Sequence, residues 1–337
     1  MPTFNILSID GGGLRGIVPI SILQKIESMT GKRVQDIFDM IAGTSTGGLI
    51  ACCLTLRNDT NQLSPKYSLE QIADIYTRYG NTIFPIRSGI DRILHRIISL
   101  FAPAYSPEGL DQVLRQFISQ QTISQALRPI LVSTYDLSSN QPVFFKSSEA
   151  AGDASADARI YDVCRATSAA PTYLPAYSFT HKNQPITGID GGVFVNNPSM
   201  AALAEISRYG NAGFYHKKDG PPVAYDDIRI LSLGTGSYEG TISEEEAVSW
   251  GQLQWITRIT DIMMKGVNKS THYETHEMLD PGKYLRLSIE IRDEKYADMA
   301  DARPATRQYL LQQVAEQVTE NPVQLNLLQQ FLCNLHY

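Results

Sequence analysis

A serine flanked by glycines, in Gly43-Thr44-Ser45-Thr46-Gly47, directly follows the mostly apolar run at residues 38–42. A strand that turns sharply into a helix needs small residues on both sides of the bend, because the two elements crowd each other there. The serine is then exposed above the N-terminus of the helix, whose dipole favours an oxyanion at that position. The apolar residues 49–54 predict that this helix is buried. The segment therefore predicts a nucleophile elbow with Ser45 as the nucleophile.

A second glycine loop, Asp10-Gly11-Gly12-Gly13-Leu14-Arg15-Gly16, follows the strand-like residues 4–9 and precedes an amphipathic helical pattern. Several backbone N–H groups near a helix N-terminus form an anion site. The anion is either the oxyanion of acyl transfer or the pyrophosphate of a dinucleotide, since Gly11-x-Gly13-x-x-Gly16 also fits that fingerprint. A dinucleotide site requires an acidic residue at the end of the second strand. Asp36 has the right spacing but precedes that strand, which favours the oxyanion.

A third loop, Ile189-Asp190-Gly191-Gly192-Val193, follows a short extended stretch and precedes Asn196-Asn197-Pro198, which opens a helix. Asp-Gly by itself is a strong turn signal. A serine hydroxyl, however, is a poor nucleophile without a base. Beside the other two loops, Asp190 is the candidate for that base.

Histidine is the usual base for a serine nucleophile. A Ser-His-Asp triad with one of the six histidines is therefore the alternative to a pair of Ser45 and Asp190 alone. None of them follows a short strand in the manner of a triad histidine, although sequence order does not fix triad geometry. His272 and His276 are four residues apart and can meet on one helix face as a metal pair. They lack the glutamate placement of the H-E-x-x-H motif and no third ligand is evident, so a solvated helix face is the preferred interpretation. The histidines are His95, His181, His216, His272, His276 and His336.

The three motifs, taken in order and spacing, resemble those of the patatin-like phospholipase family. The resemblance extends over about residues 4–236 and is less informative from about 240 onward. It implies that Ser45 is the nucleophile and that Asp190 is its partner in a Ser-Asp dyad without histidine. It further implies that Gly11, Gly12 and Gly13 form the oxyanion-hole loop.

Two further residues are candidate substrate contacts. Arg15 corresponds to the arginine that follows the glycine loop in the family, where it can steady the loop or attract a phosphate headgroup. An ordinary exposed cation is the alternative for Arg15. Thr46, the residue after the nucleophile, supplies a further N–H group near the expected oxyanion. No metal or organic cofactor is expected.

The function that follows is a lipid acyl hydrolase that cleaves fatty-acyl esters of phospholipids or lysophospholipids through an acyl-enzyme. A nonspecific carboxylesterase or thioesterase with the same dyad is an alternative within the class. An alternative from another class is a storage protein, or a regulated effector, on a hydrolase scaffold. Product analysis beside Ser45→Ala distinguishes these possibilities.

Alternating strand and helix patterns predict an α/β fold with a mostly parallel central sheet and helices on both faces. The resemblance to the patatin-like family implies the same arrangement, the patatin-like three-layer fold. Helical patterns fall near 68–80, 108–119, 197–207, 250–268 and 304–333. Ser243 and Glu246 predict a capping box. No linker-like segment divides the chain, so residues 1–337 are expected to form a single domain. In such sheets the site lies at the carboxyl ends of the strands, where all three loops fall.

Composition limits the partners and the compartment. A net charge of −6 argues against general affinity for nucleic acid. Four cysteines without zinc-type spacing fit a reducing compartment. The first strand begins at the N-terminus and no apolar run has the length of a membrane span. The chain is therefore expected to be soluble and cytoplasmic, with no signal peptide; the oligomeric state is not predicted.

One segment points to a membrane surface. Within residues 86–101 the apolar positions form one helix face, while arginines and a histidine occupy the other. The apolar positions are Ile90, Ile93, Leu94, Ile97, Ile98 and Phe101. A basic amphipathic helix of this kind lies in a membrane interface or packs on a protein core. The first alternative predicts peripheral membrane contact.

Overall fold

The strands and helices below come from a computed structural model that describes residues 3–87, 102–118, 120–210, 214–215 and 222–335. Of the amphipathic segment 86–101, only the first two residues belong to these ranges. The predicted membrane contact therefore lies outside the described residues.

The described strands are bounded as follows: β1 Phe4–Ile9, β2 Met40–Thr44, β3 Ile130–Asp136, β4 Gln141–Lys146, β5 Tyr177–His181, β6 Gln184–Asp190, β7 Ile228–Leu233 and β8 Tyr284–Leu287.

The described α-helices are α1 Ile17–Thr30, α2 Val34–Ile37, α3 Thr46–Thr55, α4 Leu69–Thr77, α5 Gly80–Ile83, α6 Glu108–Phe117, α7 Ser147–Gly152, α8 Ile160–Thr167, α9 Ser199–Tyr209, α10 Glu244–Ser249, α11 Gln252–Met278, α12 Pro304–Val314 and α13 Pro322–Cys333. Short 3₁₀ turns lie within two of the three glycine loops, at Gly13–Gly16 and Gly191–Val193.

All of these strands belong to one sheet with the order β5-β6-β3-β2-β1-β7-β8, and β4 pairs with β3. The run β3-β2-β1-β7-β8 is parallel, whereas β4, β5 and β6 join by antiparallel pairs. The prediction of an α/β fold with a mostly parallel central sheet is confirmed. Strand β8, from the C-terminal part of the chain, extends this same sheet.

Strand β1 shows why both faces of the sheet are covered. Its side chains are buried throughout, and they alternate between two hydrophobic clusters, with Phe4 and Ile6 in one and Leu7 and Ile9 in the other. Because successive strand residues point to opposite faces, each cluster is one face of the sheet packed under helices. Helix α9 belongs to the cluster of Phe4, and helices α1 and α3 to the other.

Several predicted elements are present with shifted ends. Helix α3 is buried along its whole length, as predicted. The predicted capping box forms, since Ser243 Oγ accepts a bond from the Glu246 N–H at 3.2 Å and the Glu246 carboxylate accepts one from the Ser243 N–H at 3.2 Å. Helix α11 continues ten residues beyond its predicted end.

The helical pattern predicted near 304–333 is divided between two helices, α12 and α13. It is interrupted by a π-helical turn at Ala315–Thr319, and a new helix starts at Pro322. Asn321 caps the new start, because its side chain accepts the backbone N–H groups of Val323 and Gln324 at 3.0 and 3.2 Å. Proline at the first helical position favours such a start.

Candidate active site

Ser45 occupies a strained bend between β2 and α3. Its φ is 54° and its ψ is −123°, a conformation that costs about 1–3 kcal/mol for a residue other than glycine. The flanking glycines are required by space: a Cβ on Gly43 would collide with the Gly47 carbonyl, and one on Gly47 with the Ile9 carbonyl. Thr167 stabilises the bend, because its Oγ1 accepts a hydrogen bond from the Ser45 N–H at 2.8 Å.

The sheet register brings Asp190 beside this serine. Thr44, the residue before Ser45, pairs with Ser133 on β3. Asp190 pairs with Thr134, the next residue of β3. Strand β6 therefore continues along β3 where β2 ends, and the two loops meet there.

The Asp190 carboxyl is nearly inaccessible, with 6% of the residue exposed. Burial raises its pKa from 3.8 to about 6, although a hydrogen bond with the Ser45 side chain and one from the Gly192 N–H lower it. The Gly192 bond is 2.7 Å long. A carboxylate with this pKa, in contact with a serine hydroxyl, can accept its proton near neutral pH.

The glycine loop offers two free amides. The Gly11 N–H already donates to the Asn196 carbonyl at 3.1 Å, and the Gly11 carbonyl accepts from Thr235 Oγ1 at 2.7 Å. The N–H groups of Gly12 and Gly13 bond to no other described residue. In this loop Gly12 and Gly13 therefore have amides available to an anion, whereas the bonds of Gly11 fix the loop in place.

Asp10 anchors the start of the same loop. Its buried carboxylate forms a bidentate pair with Arg286 of β8, with N–O distances of 2.5 and 3.2 Å. Two parallel bonds of this kind fix orientation as well as distance. The loop after β1 is thus fixed to the strand at the far edge of the sheet.

The two candidate substrate contacts have partners within the protein. Arg15 is half-buried, and its guanidinium donates to the carbonyls of Gly12 and Ala297, each at 3.4 Å. It therefore stabilises the glycine loop. Thr46 Oγ1 and Tyr76 OH form a buried hydrogen bond of 2.6 Å, so the Thr46 hydroxyl is already engaged.

A narrow apolar cavity of about 50 Å³ opens beside Ser45. Aliphatic and aromatic side chains form most of its wall. A hydrocarbon chain gains free energy on entering such a space, at about 0.8 kcal/mol per buried CH₂. The lining residues are Gly13, Leu14, Ser45, Thr46, Leu49, Ile75, Tyr76, Ile83, Phe84, Leu110, Ser168, Ala170, Tyr173, Leu174 and Met299.

The described histidines lie elsewhere. His181 is buried, with its ring centroid 5.1 Å from that of Phe145, and His272 and His276 are on α11. None of these three lines the cavity at Ser45. Three predicted alternatives, His95, His216 and His336, lie outside the described residues.

The dinucleotide alternative lacks its acidic residue. Asp36 is exposed on α2, before β2 begins, and the end of β2 is the serine bend. The described part of the chain contains no group of three or more His, Cys, Asp or Glu side chains that could hold a metal ion. Within the same ranges, no helix has both the length and the apolar character of a membrane span.

The sequence motifs do not identify the residues that hold the three loops together, namely Thr167, Asn196, Thr235 and Arg286. A local sequence pattern marks the position of two of them. Thr235 lies in Gly234-Thr235-Gly236 at the end of β7, and Asn196 lies in the helix-opening Asn196-Asn197-Pro198. Arg286 had none, because its partner Asp10 is 276 residues away.

Comparison with known proteins gives a consistent result. Residues 7–203 match the family model described as patatin-like phospholipase. Patatin group J-1 of Solanum tuberosum is 33% identical over 340 residues, which cover 94% of this chain and 84% of that protein. Patatin-like protein 1 of Arabidopsis thaliana is 31% identical over 351 residues, covering 96% and 83%.

Matches among solved structures are more distant. Human GIVD cytosolic phospholipase A2 has a TM-score of 0.44 at 11% identity, covering 98% of this chain and 60% of that one. VipD from Legionella pneumophila has a TM-score of 0.43 at 9% identity, covering 94% and 67%.

Proposed function

This chain belongs to the patatin-like phospholipase family, and we propose that it hydrolyses fatty-acyl esters of phospholipids or lysophospholipids with Ser45 and Asp190 as a catalytic dyad. Family membership supports lipid acyl hydrolysis. The observation that supports the dyad is the register that brings Ser45 beside a buried Asp190 carboxyl, whose pKa burial raises to about 6 although the Ser45 side chain lowers it.

In the first half of the reaction, Ser45 Oγ attacks the acyl carbonyl carbon and its proton passes to the Asp190 carboxylate. The negative oxygen of the tetrahedral intermediate accepts hydrogen bonds from the free amides of Gly12 and Gly13. The N-terminus of α3, at Thr46, adds a favourable dipole. The intermediate collapses to an acyl-enzyme when the alcohol leaves with the proton from Asp190.

In the second half, Asp190 accepts a proton from water, which attacks the acyl-enzyme carbonyl. The carboxylic acid is released and Ser45 Oγ recovers its proton. During both halves the acyl carbons next to the ester enter the apolar cavity beside Ser45, where they are removed from water. Its apolar wall favours a hydrocarbon group at this position over a polar one.

The experiment is product analysis by mass spectrometry, with defined phospholipids and lysophospholipids and with Ser45→Ala as the matched control. Free fatty acid from the unaltered protein, and none from the variant, supports the proposal. Whether a lysolipid or the deacylated headgroup accumulates distinguishes phospholipase from lysophospholipase activity. Hydrolysis of short esters and thioesters alone would favour the esterase alternative. Equal activity in both proteins would refute the role of Ser45.

A storage or effector protein is the second candidate from sequence. An effector that needs an activating partner predicts no turnover by the purified chain, although its serine can still react slowly with a fluorophosphonate. Labelling of Ser45 without lipid turnover would therefore favour that alternative. Peripheral membrane contact through residues 86–101 remains a prediction from the sequence.

A further inference from the structure

Asn196 lies between the glycine loop and the aspartate loop. It is 2% exposed, and its backbone carbonyl accepts the Gly11 N–H at 3.1 Å. Its side-chain Oδ1 fills the space over both loops: a Cβ on Gly11 would collide with it, and one on Gly192 would lie 3.0 Å from it. One side chain therefore fixes how closely the two loops approach.

A residue of helix α11, which is not part of the sheet, orients the side-chain amide of Asn196. Its Nδ2 donates to Asn268 Oδ1 of helix α11 at 3.1 Å. Its Oδ1 has no hydrogen-bond partner among the described residues. A buried acceptor without a partner destabilises a fold, and such atoms in native structures call for an explanation.

We propose that Asn196 is a positioning residue for Ser45 and Asp190, and that Asn268 holds it in place; this inference rests on the proposed function. Each loop that Asn196 touches contacts one member of the dyad. A Cβ on Gly11 would lie 3.1 Å from Ser45 Cβ. Gly192 donates its N–H to Asp190 Oδ1 at 2.7 Å. Asn196 thus fixes the nucleophile side and the base side of the site relative to each other.

The expected signature is a change in turnover together with a change in pH dependence. Removal of the Asn196 side chain misplaces Ser45 and Asp190 relative to each other. Errors of about 1 Å in such sites cost on the order of 100-fold in rate. The Gly192 N–H also lowers the pKa of Asp190, so a looser loop raises that pKa. The acid limb of the pH–rate profile, where kcat/KM falls as Asp190 becomes protonated, then moves to higher pH.

The test uses Asn196→Ala and Asn268→Ala, with Asn197→Ala as the matched control. Asn197 is also buried, but its Oδ1 accepts the N–H and hydroxyl of Ser199 at 3.0 and 2.6 Å at the start of α9. We expect both test variants to lower kcat more than they change KM and to shift the acid limb upward. The double variant should be no worse than Asn196→Ala, since the two act as a unit. Asn197→Ala should lower the melting temperature without moving the acid limb.

Hydrogen exchange gives a readout that does not require activity. Both test variants should speed amide exchange in the peptides that contain Gly11 and Gly192, relative to Asn197→Ala. Unchanged exchange in both loops, or an acid limb that moves equally in the control, would overturn the inference. These outcomes leave the proposed function intact, because that proposal is judged separately by the loss of fatty-acid release in Ser45→Ala.

Discussion

Ser45 lies beside Asp190 at the point where β2 ends and β6 continues along β3, and both residues are almost fully buried, at 8% and 6% exposure. Burial disfavours the charged Asp190 carboxylate and raises its pKa to about 6, well above the usual 3.8, although the Ser45 side chain lowers it. As the proposed base, Asp190 is therefore stronger than an exposed aspartate yet still ionised at neutral pH. The raised pKa of Asp190 leads to the first two predictions, on the pH dependence of activity and of stability.

The first prediction concerns pH. Asp190 must be deprotonated to accept the Ser45 proton, so kcat/KM for a neutral ester should fall below pH 6, about tenfold for each further unit. Above about pH 7 the rate should be constant with respect to this group. A pH–rate profile measures the limb. A rate that stays flat down to pH 4.5 would exclude Asp190 as the base.

The second prediction concerns stability. The pKa of Asp190 is higher in the folded than in the unfolded protein, so its contribution to the free energy of unfolding is fully present below pH 3.8 and is lost as pH rises through about 6. The loss is about 3 kcal/mol above pH 7. Asp190→Asn removes this cost together with the activity.

Urea unfolding of the Asp190→Asn variant and the unaltered protein measures that difference at several pH values. The variant should gain relative stability between pH 4 and pH 8 by about the amount given above. A difference that is independent of pH would show that the pKa of Asp190 is not raised by folding. The matched comparison cancels the titration of the other carboxyl groups.

The third prediction concerns the strained bend. Ser45→Ala and Ser45→Gly should both abolish ester hydrolysis and fluorophosphonate labelling. Because φ at this position is 54°, glycine avoids strain that alanine retains, and Ser45→Gly should be more stable than Ser45→Ala by about 1 kcal/mol. Thermal melts of the two variants compare them directly. Equal melting temperatures would mean that the bend is not strained.

The fourth prediction concerns the acyl cavity. Ala170 lines it, so Ala170→Leu fills space that a long acyl chain requires. Overpacking costs about 1–3 kcal/mol, which predicts a loss of about fivefold or more in kcat/KM for an octanoyl ester. An acetyl ester should be hydrolysed at nearly the original rate.

The exposed Ala151, outside the cavity, supplies the matched control. Ala151→Leu should leave the ratio of octanoyl to acetyl turnover unchanged. If Ala170→Leu also leaves that ratio unchanged, the acyl chain binds elsewhere. A thermal melt of each variant verifies that it is folded.

The fifth prediction concerns the membrane. Ile97→Asp combined with Phe101→Asp should weaken vesicle binding and hydrolysis of aggregated lipid, because each buried apolar side chain is worth about 1.5–3 kcal/mol. Hydrolysis of a soluble short ester should persist. If both activities are lost together and the melting temperature falls, the segment packs on the protein core instead.

Sequence alone determined the local parts of this protein. Gly43 and Gly47 specify a tight bend at Ser45 through sterics within a few residues. Apolar patterns specify a buried β1 and a buried α3. The three motifs in their order also identified the family, because their combination is more specific than any one of them.

Only the tertiary structure decided which groups remain available for chemistry. The sequence treats Gly11, Gly12 and Gly13 alike, but Asn196 already engages the Gly11 amide. Sequence presents Arg15 as a candidate headgroup contact, whereas its guanidinium bonds to loop carbonyls. Hydrogen-bonding capacity is limited, and which partner uses it depends on residues far away in the chain.

The same reason applies to the pKa of Asp190. No local sequence pattern predicts this pKa. The raised value results from burial, which strands β3 and β6, the Ser45 bend and the Gly192 turn create together. The pairing of Asp10 with Arg286, 276 positions apart, is likewise a product of the sheet order. Short-range sterics and periodicity are encoded along the chain, whereas solvent exclusion and long-range pairing exist only once the sheet has formed.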